Sequence, residues 1–287
     1  MMEKQQQITG EWELANGEWG MRRAGPFTNS YPLFSILALF VLTSCTKEIE
    51  LPLQDESNKV VIEAAVVEGP GPHTVRLSRS VPFTNNNTFP AVQGATVTLS
   101  DDQGNSEQLT ETSPGTYATS TLQGVVGRTY HLSTTVDGTT YIAACRMPTL
   151  VPLDTLRIDS LPLFGGNPKV VYAVCSDPAG EQNNYRYITR VNGTLLPGVR
   201  VQNDRLENGS MMDQPVNLGS NVALKPGDQV EVAMQCIAPE VYRYFFALSQ
   251  SMSGNSSAPA DPPTNISGGA LGYFSAYTAS TRTLVVP

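Results

Sequence analysis

The chain has 287 residues, of which 40% are hydrophobic and 15% charged, with a formal net charge of −8 and two histidines. An acidic chain with no basic stripe is unsuited to nucleic acid, whose phosphates must be neutralised by Lys and Arg. Its cysteines, Cys45, Cys145, Cys175 and Cys236, show no Cys-x-x-Cys spacing, and no His-x-x-x-His or His-Glu pair accompanies them, so the sequence spells out no metal site.

Near the start, Arg22-Arg23, the apolar run Leu33-Phe34-Ser35-Ile36-Leu37-Ala38-Leu39-Phe40-Val41 and the small residues Thr43-Ser44 follow one another in the order of a secretory signal. A membrane-spanning helix needs about 20 apolar residues, and here the polar stretch Thr46-Lys47-Glu48 comes too soon. Leu42-Thr43-Ser44-Cys45 therefore reads as the recognition site of a lipoprotein signal peptidase, with Cys45 as the residue that carries the acyl chains. Residues 21–44 are the predicted signal peptide. Residues 1–20 hold Glu3, Glu11, Glu13 and Glu18 where a signal begins basic, so they are read as a misassigned extension ahead of Met21. Residues 45–58, polar and punctuated by Pro52, form a tether. A dozen extended residues at about 3.3 Å each reach roughly 40 Å from a membrane surface.

From residue 59 to 147 short strands alternate with turn chemistry. Val60-Val61-Ile62-Glu63-Ala64-Ala65-Val66-Val67 is β-branched and apolar until Gly69-Pro70-Gly71-Pro72 stops it. Residues 74–79 and 95–100 alternate apolar with polar side chains, as half-solvated strands do. Asp137-Gly138, between runs 129–136 and 139–145, is a hairpin signal. Asp101, Asp102 and Asn105 are turn residues; they lack the alternating twelve-residue pattern of a calcium loop. About seven strands in this span predict an immunoglobulin-like or transthyretin-like sandwich.

Residues 148–168 form the predicted connector between two domains, stiffened by Pro148 and Pro152. Residues 169–287 are expected to form a second antiparallel β domain with one helix. Strands are predicted over 169–175, 185–191, 194–201 and 229–237, with Asn192-Gly193 as a type I′ turn. After Pro239, residues 240–252 place Val241, Tyr244 or Phe245, Leu248 and Met252 at helical spacing. The helix aromatics are expected to pack a core. Residues 253–269 are almost without apolar side chains and too long for a turn, so Asn255, Asp261, Thr264 and Asn265 are candidate partner contacts; the Pro82 to Pro90 loop, with Asn85-Asn86-Asn87, is the second choice. Two strands, 272–277 and 281–286, end the chain. Cys175 and Cys236 both lie in strand-like runs; an oxidising compartment would join them, and the alternative is two buried thiols.

These segments together resemble the Bacteroidota lipoprotein family catalogued as domain of unknown function 4249. The likeness is carried by Leu42-Thr43-Ser44-Cys45-Thr46-Lys47-Glu48-Ile49-Glu50, Gly69-Pro70-Gly71-Pro72-His73-Thr74-Val75, Val92-Gln93-Gly94-Ala95-Thr96-Val97, Pro114-Gly115-Thr116-Tyr117, Asp177-Pro178-Ala179-Gly180-Glu181 with Tyr185-Arg186, Val241-Tyr242-Arg243-Tyr244, and the long run from Pro262 to Phe274. The resemblance implies a lipid-anchored outer-membrane protein, partner of a TonB-dependent receptor, with no catalytic residues to carry over. Lys47, Glu48 and Glu50 also resemble the surface-export tag of such lipoproteins, which favours the cell surface over the periplasmic face. Asp154-Thr155-Leu156 and Asp159-Ser160-Leu161 resemble the triplets O-glycosylated in exported proteins of that group, at Thr155 and Ser160.

For enzymatic work the sequence offers only His73 and His131 as imidazole bases, and no serine sits in a nucleophile elbow. The expected function is binding: an accessory protein in nutrient capture or uptake, with a peptide or glycan as ligand and no cofactor. The alternatives are a structural or adhesive surface lipoprotein and, less favoured, a secreted hydrolase.

Overall fold

The computed structural model describes residues 57–82, 88–160, 169–216, 218–219, 222–252 and 261–287. The first half holds β1 (Val60–Val67), β2 (Gly69–Pro70), β3 (Thr74–Arg79), β4 (Thr96–Asp101), β5 (Ser106–Gln108), β6 (Thr110–Ser113), β7 (Thr116–Ala118), β8 (Gln123–Gly124), β9 (Thr129–Val136) and β10 (Thr139–Arg146). The second holds β11 (Thr155–Ser160), β12 (Lys169–Ser176), β13 (Asn184–Val191), β14 (Thr194–Leu195), β15 (Val201–Asn203), β16 (Met211–Val216), β17 (Gln229–Cys236), the helix α1 (Pro239–Met252), β18 (Ile266–Ser267) and β19 (Leu271–Val285). The chain is mainly β with one helix among the described residues, as its alternation and turns predict.

Two sandwiches are built on one shared sheet. Its strands run β14-β13-β17-β19-β1-β3-β7-β6, with β15 beside β13. The sheet β18-β10-β9-β4-β5 closes the first sandwich, and β11-β12-β16 closes the second. Ile62, Ala64 and Val66 of β1, Val97 and Leu99 of β4, Tyr130 and Leu132 of β9 and Phe274 of β19 meet in the first core. Leu153, Val171, Tyr185, Met212, Val232 and Met234 meet in the second. Alternation explains both: in β1 every second side chain is buried, and in β17 Val230, Val232 and Met234 are.

The predicted boundary at 148–168 separates two cores but not two sheets. β19 is one strand where two were expected, and its halves have different partners. Residues 271–277 pair parallel with β1, from Val61↔Leu271 to Val67↔Tyr277, while residues 278–285 pair antiparallel with β17, from Cys236↔Thr278 to Gln229↔Val285. The polar stretch Thr278-Ala279-Ser280 hides the continuity in the sequence, yet Thr278 is fully buried. The connector is likewise packed rather than hinge-like: Val151 and Leu153 are buried, and the Leu153 N–H donates to Ser280 Oγ at 3.0 Å. Residues 155–160 form β11, paired along its length with β12.

Asp137-Gly138 and Asn192-Gly193 form the expected two-residue turns, with positive φ at both positions of each pair: 48° and 80°, then 51° and 80°. The predicted strand 194–201 is broken into β14 and β15, because Pro197 and the positive-φ Gly198 fall in its middle.

Candidate functional site

Helix α1 begins at Pro239, where a missing N–H costs nothing, and packs on β13, β15 and β19 of the shared sheet, with Val241 and Phe245 joining the first core. Phe245 packs edge-on against Tyr273 with ring centroids 4.7 Å apart, and the Arg186 guanidinium stands over the Phe245 ring, 3.9 Å from its centre. Val241 and Phe245 are its buried residues, so the helix is held by a narrow stripe. Tyr244 and Leu248 lie along one flank of that stripe.

Along that flank runs an apolar cleft of about 360 Å³ between the helix and the outer faces of β1, β3 and β19. Val61, Phe89, Tyr244, Leu248 and Leu271 supply its apolar lining; Glu63, Ser78, Ser80 and Asp261 add polar groups, two of them acidic. Phe89 is 55% exposed, a large apolar side chain held toward solvent. Burial, then the neighbouring Tyr273, pushes the Tyr244 hydroxyl up to about 12, so it meets a ligand as a neutral donor or acceptor. The arrangement suits an apolar side chain flanked by polar or basic groups.

Both segments singled out as contact surfaces border this cleft. Asp261 and Pro262 line it from the C-terminal side, Phe89 from the loop after β3. Asn255 and Asn85-Asn86-Asn87 lie outside the described residues. Thr264 and Asn265 are engaged within the fold, Thr264 exposed and Asn265 half-buried. The Asn265 side chain accepts from the Phe274 N–H at 2.9 Å and donates to the Phe274 carbonyl at 2.7 Å, mimicking a strand neighbour, and Thr264 Oγ1 accepts from the Ile266 N–H. Ile266 is buried, and β18 pairs with β10. The end of the predicted loop is thus a structural cover.

The other predicted sites are dispersed. Thr155 and Ser160 are exposed on the edge strand β11, not in a linker; Leu161 lies outside the described residues. Cys175 and Cys236 share the second core but are not joined; both are free, buried thiols. The Val151 N–H donates to Cys236 Sγ at 3.3 Å, which engages that sulfur elsewhere. Burial, then Asp177, pushes the Cys175 thiol up to about 12. His73 is buried with Nδ1 accepting from the Val67 N–H at 3.4 Å, and His131 is exposed on β9. Leu42, Thr43, Ser44 and Cys45 lie outside the described residues.

A second, polar cleft of about 630 Å³ contains Asp101, Glu107 and Arg128. Its acids are occupied. Asp101 accepts from the Gln103 and Asn105 N–H groups and from Arg128 at 2.6 Å, and Glu107 accepts from the N–H groups of Ser120, Thr121 and Leu122. Burial opposes ionisation of each, but these donors outweigh it and hold both carboxyls below their ordinary values of 3.8 and 4.5. A depressed folded value contributes stability that is complete above the unfolded value and lost as pH falls through the folded one. Melting temperature should therefore hold steady down to about pH 5 and decline below it, with Glu107→Gln shallower; a flat profile to pH 3 in both proteins would contradict this.

What sequence reasoning missed is that three distant segments, β1, the loop after β3 and α1, make one cleft. The available signal was a helix with more aromatics, Tyr242, Tyr244, Phe245 and Phe246, than one buried stripe requires.

Among the described residues, fold and cleft define a mainly β protein of fused sandwiches carrying one helix. The family model described as Domain of unknown function (DUF4249) matches residues 46–283, and the chain belongs to that family. No curated protein matches it.

Proposed function

We propose that this protein is a lipid-anchored outer-membrane accessory protein, displayed at the cell surface, that docks on a TonB-dependent receptor and assists capture or uptake of a peptide or glycan, without catalysis. The anchoring rests on the sequence setting of Cys45. The observation that supports docking is the apolar cleft beside α1, with exposed Phe89 on one side and Asp261-Pro262 on the other. A receptor loop presenting an apolar side chain would bury Phe89 and Leu248 together, and burial of one large side chain contributes about 1.5–3 kcal/mol.

The test is affinity isolation of the intact lipoprotein from detergent-solubilised membranes, with identification of what accompanies it. A receptor should co-purify, and Phe89→Asp should reduce its recovery severalfold while leaving the melting temperature unchanged. Equal recovery with the variant removes the cleft from the interface. Isolation of the lipoprotein alone favours an adhesive or structural role.

A further inference from the structure

Beneath the loop that follows β12 lies a group of buried oxygens with too few donors. Asp177 and Asn183 are 6% exposed and Asp204 is fully buried. Asp177 Oδ1 accepts from the Tyr185 hydroxyl and its Oδ2 from the Gly209 N–H at 3.1 Å. Asp204 Oδ2 accepts from the Asn183 N–H at 2.8 Å. Asp204 Oδ1 and Asn183 Oδ1 have no hydrogen-bond partner. Both residues are held by one turn, Asp177 through the Gly209 N–H and Asp204 through its own carbonyl, which accepts from the Glu207 N–H, and neither forms an ion pair with Lys, Arg or His among the described residues. Paired buried carboxylates with no cation cannot both stay ionised without a large penalty.

The surrounding backbone is already drawn together. Gly180 N–H donates to Asn208 Oδ1 at 3.0 Å, Asn208 Nδ2 donates to the Glu181 carbonyl at 2.7 Å, and a Cβ at Gly209 would stand 2.8 Å from that of Ala179. Asn183 also borders an open cleft of about 280 Å³ that contains Glu181, Glu240 and Arg146, two acids against one base. No group of three or more His, Cys, Asp or Glu is placed to hold a metal among the described residues, so the remaining ligands would be amide and backbone oxygens and water.

We propose that Asp177, Asp204 and Asn183 Oδ1 form a site for a hard divalent cation, calcium, which clamps the loop after β12 to the loop after β15. Calcium accepts six to eight oxygen ligands from carboxylates, amide and backbone carbonyls and water, in flexible geometry. An oxygen-only set excludes the softer metals that prefer imidazole or thiolate. The cation supplies the missing partner for both orphan oxygens and neutralises the acid pair. A proton shared between the two carboxyl groups is the competing solution, and it would exclude calcium from them.

The experiment uses the purified full chain at neutral pH. Saturating calcium should raise the melting temperature by several degrees over the value in EDTA. Terbium, excited through tyrosine with Tyr185 bonded to Asp177, should give emission that calcium displaces. The near-isosteric Asp204→Asn should lose both responses while melting in EDTA no lower than the original, because it removes the repulsion. Identical melting of the original protein in calcium and EDTA, without displaceable emission, would overturn the site and leave a proton-sharing pair; responses that persist in Asp204→Asn would place the cation elsewhere. Should that variant not fold, the titration of the original protein decides alone.

Discussion

Replacing Gly272 by alanine is expected to lower the unfolding free energy by about 3–4 kcal/mol, with a matching fall in denaturant midpoint. Gly272 sits at φ 99°, and a Cβ there would stand 2.0 Å from the Ile62 carbonyl oxygen. Ile62 is its register partner across the parallel β1–β19 pairing and is fully buried in the first core, so it has nowhere to retreat. Backbone strain of this kind costs about 1–3 kcal/mol, and forcing packed strands apart costs a similar amount. Gly127, at φ 83° with nothing within 4 Å of its Cβ position, is the control. Its alanine variant carries the conformational strain alone and should lose only about 1 kcal/mol. A Gly272→Ala protein as stable as the control would mean that β1 and β19 do not meet in this register.

Cys45→Ser should move the protein from the membrane fraction entirely, either into the soluble fraction or into an unprocessed precursor. Acyl chains contribute about 0.8 kcal/mol for each buried methylene, and under the proposed function one thiol is the route by which they are attached. Serine cannot accept the thioether-linked lipid that the lipoprotein reading requires. Fractionation on membranes, with the mass of the product, decides the matter; a variant that still fractionates as a processed membrane protein excludes Cys45 as the anchor. The expected effect is all-or-none, whereas Phe89→Asp should weaken partner recovery without touching localisation.

Local features of the fold were legible because their signals are local. Alternation marked β3, β4 and β17, a β-branched run marked β1, the Asp-Gly pair marked the β9–β10 hairpin and the Asn-Gly pair the turn after β13, and Pro239 with the helical spacing of Val241, Tyr244 or Phe245, Leu248 and Met252 marked α1. What stayed hidden depends on partners far away in sequence. Thr278 is polar and reads as a gap, yet the partners of β19 bury it within a single strand. Asn265 reads as a loop residue free to bind, but its amide is matched to the Phe274 backbone. Pro197 was visible inside the run 194–201 and should have broken the predicted strand there. The cleft could be guessed only in fragments. Its loops were noticed for their composition, while Val61, Glu63 and Leu271 look like ordinary strand residues until the sheet is assembled.

Because the first strand lies beside the last, the order of synthesis matters. β1 is made early, but the edge it turns toward β19 stays uncovered until residues 271–277 emerge. An unpaired, β-branched edge recruits other chains, and pairings this distant in sequence form slowly because the intervening loop must close first. Neither sandwich can be completed on a nascent chain, since both borrow half of β19. The strand order therefore leaves both sandwiches incomplete until residues 271–285 are made, and a holding chaperone would be the natural guardian of Val60–Val67 in that interval.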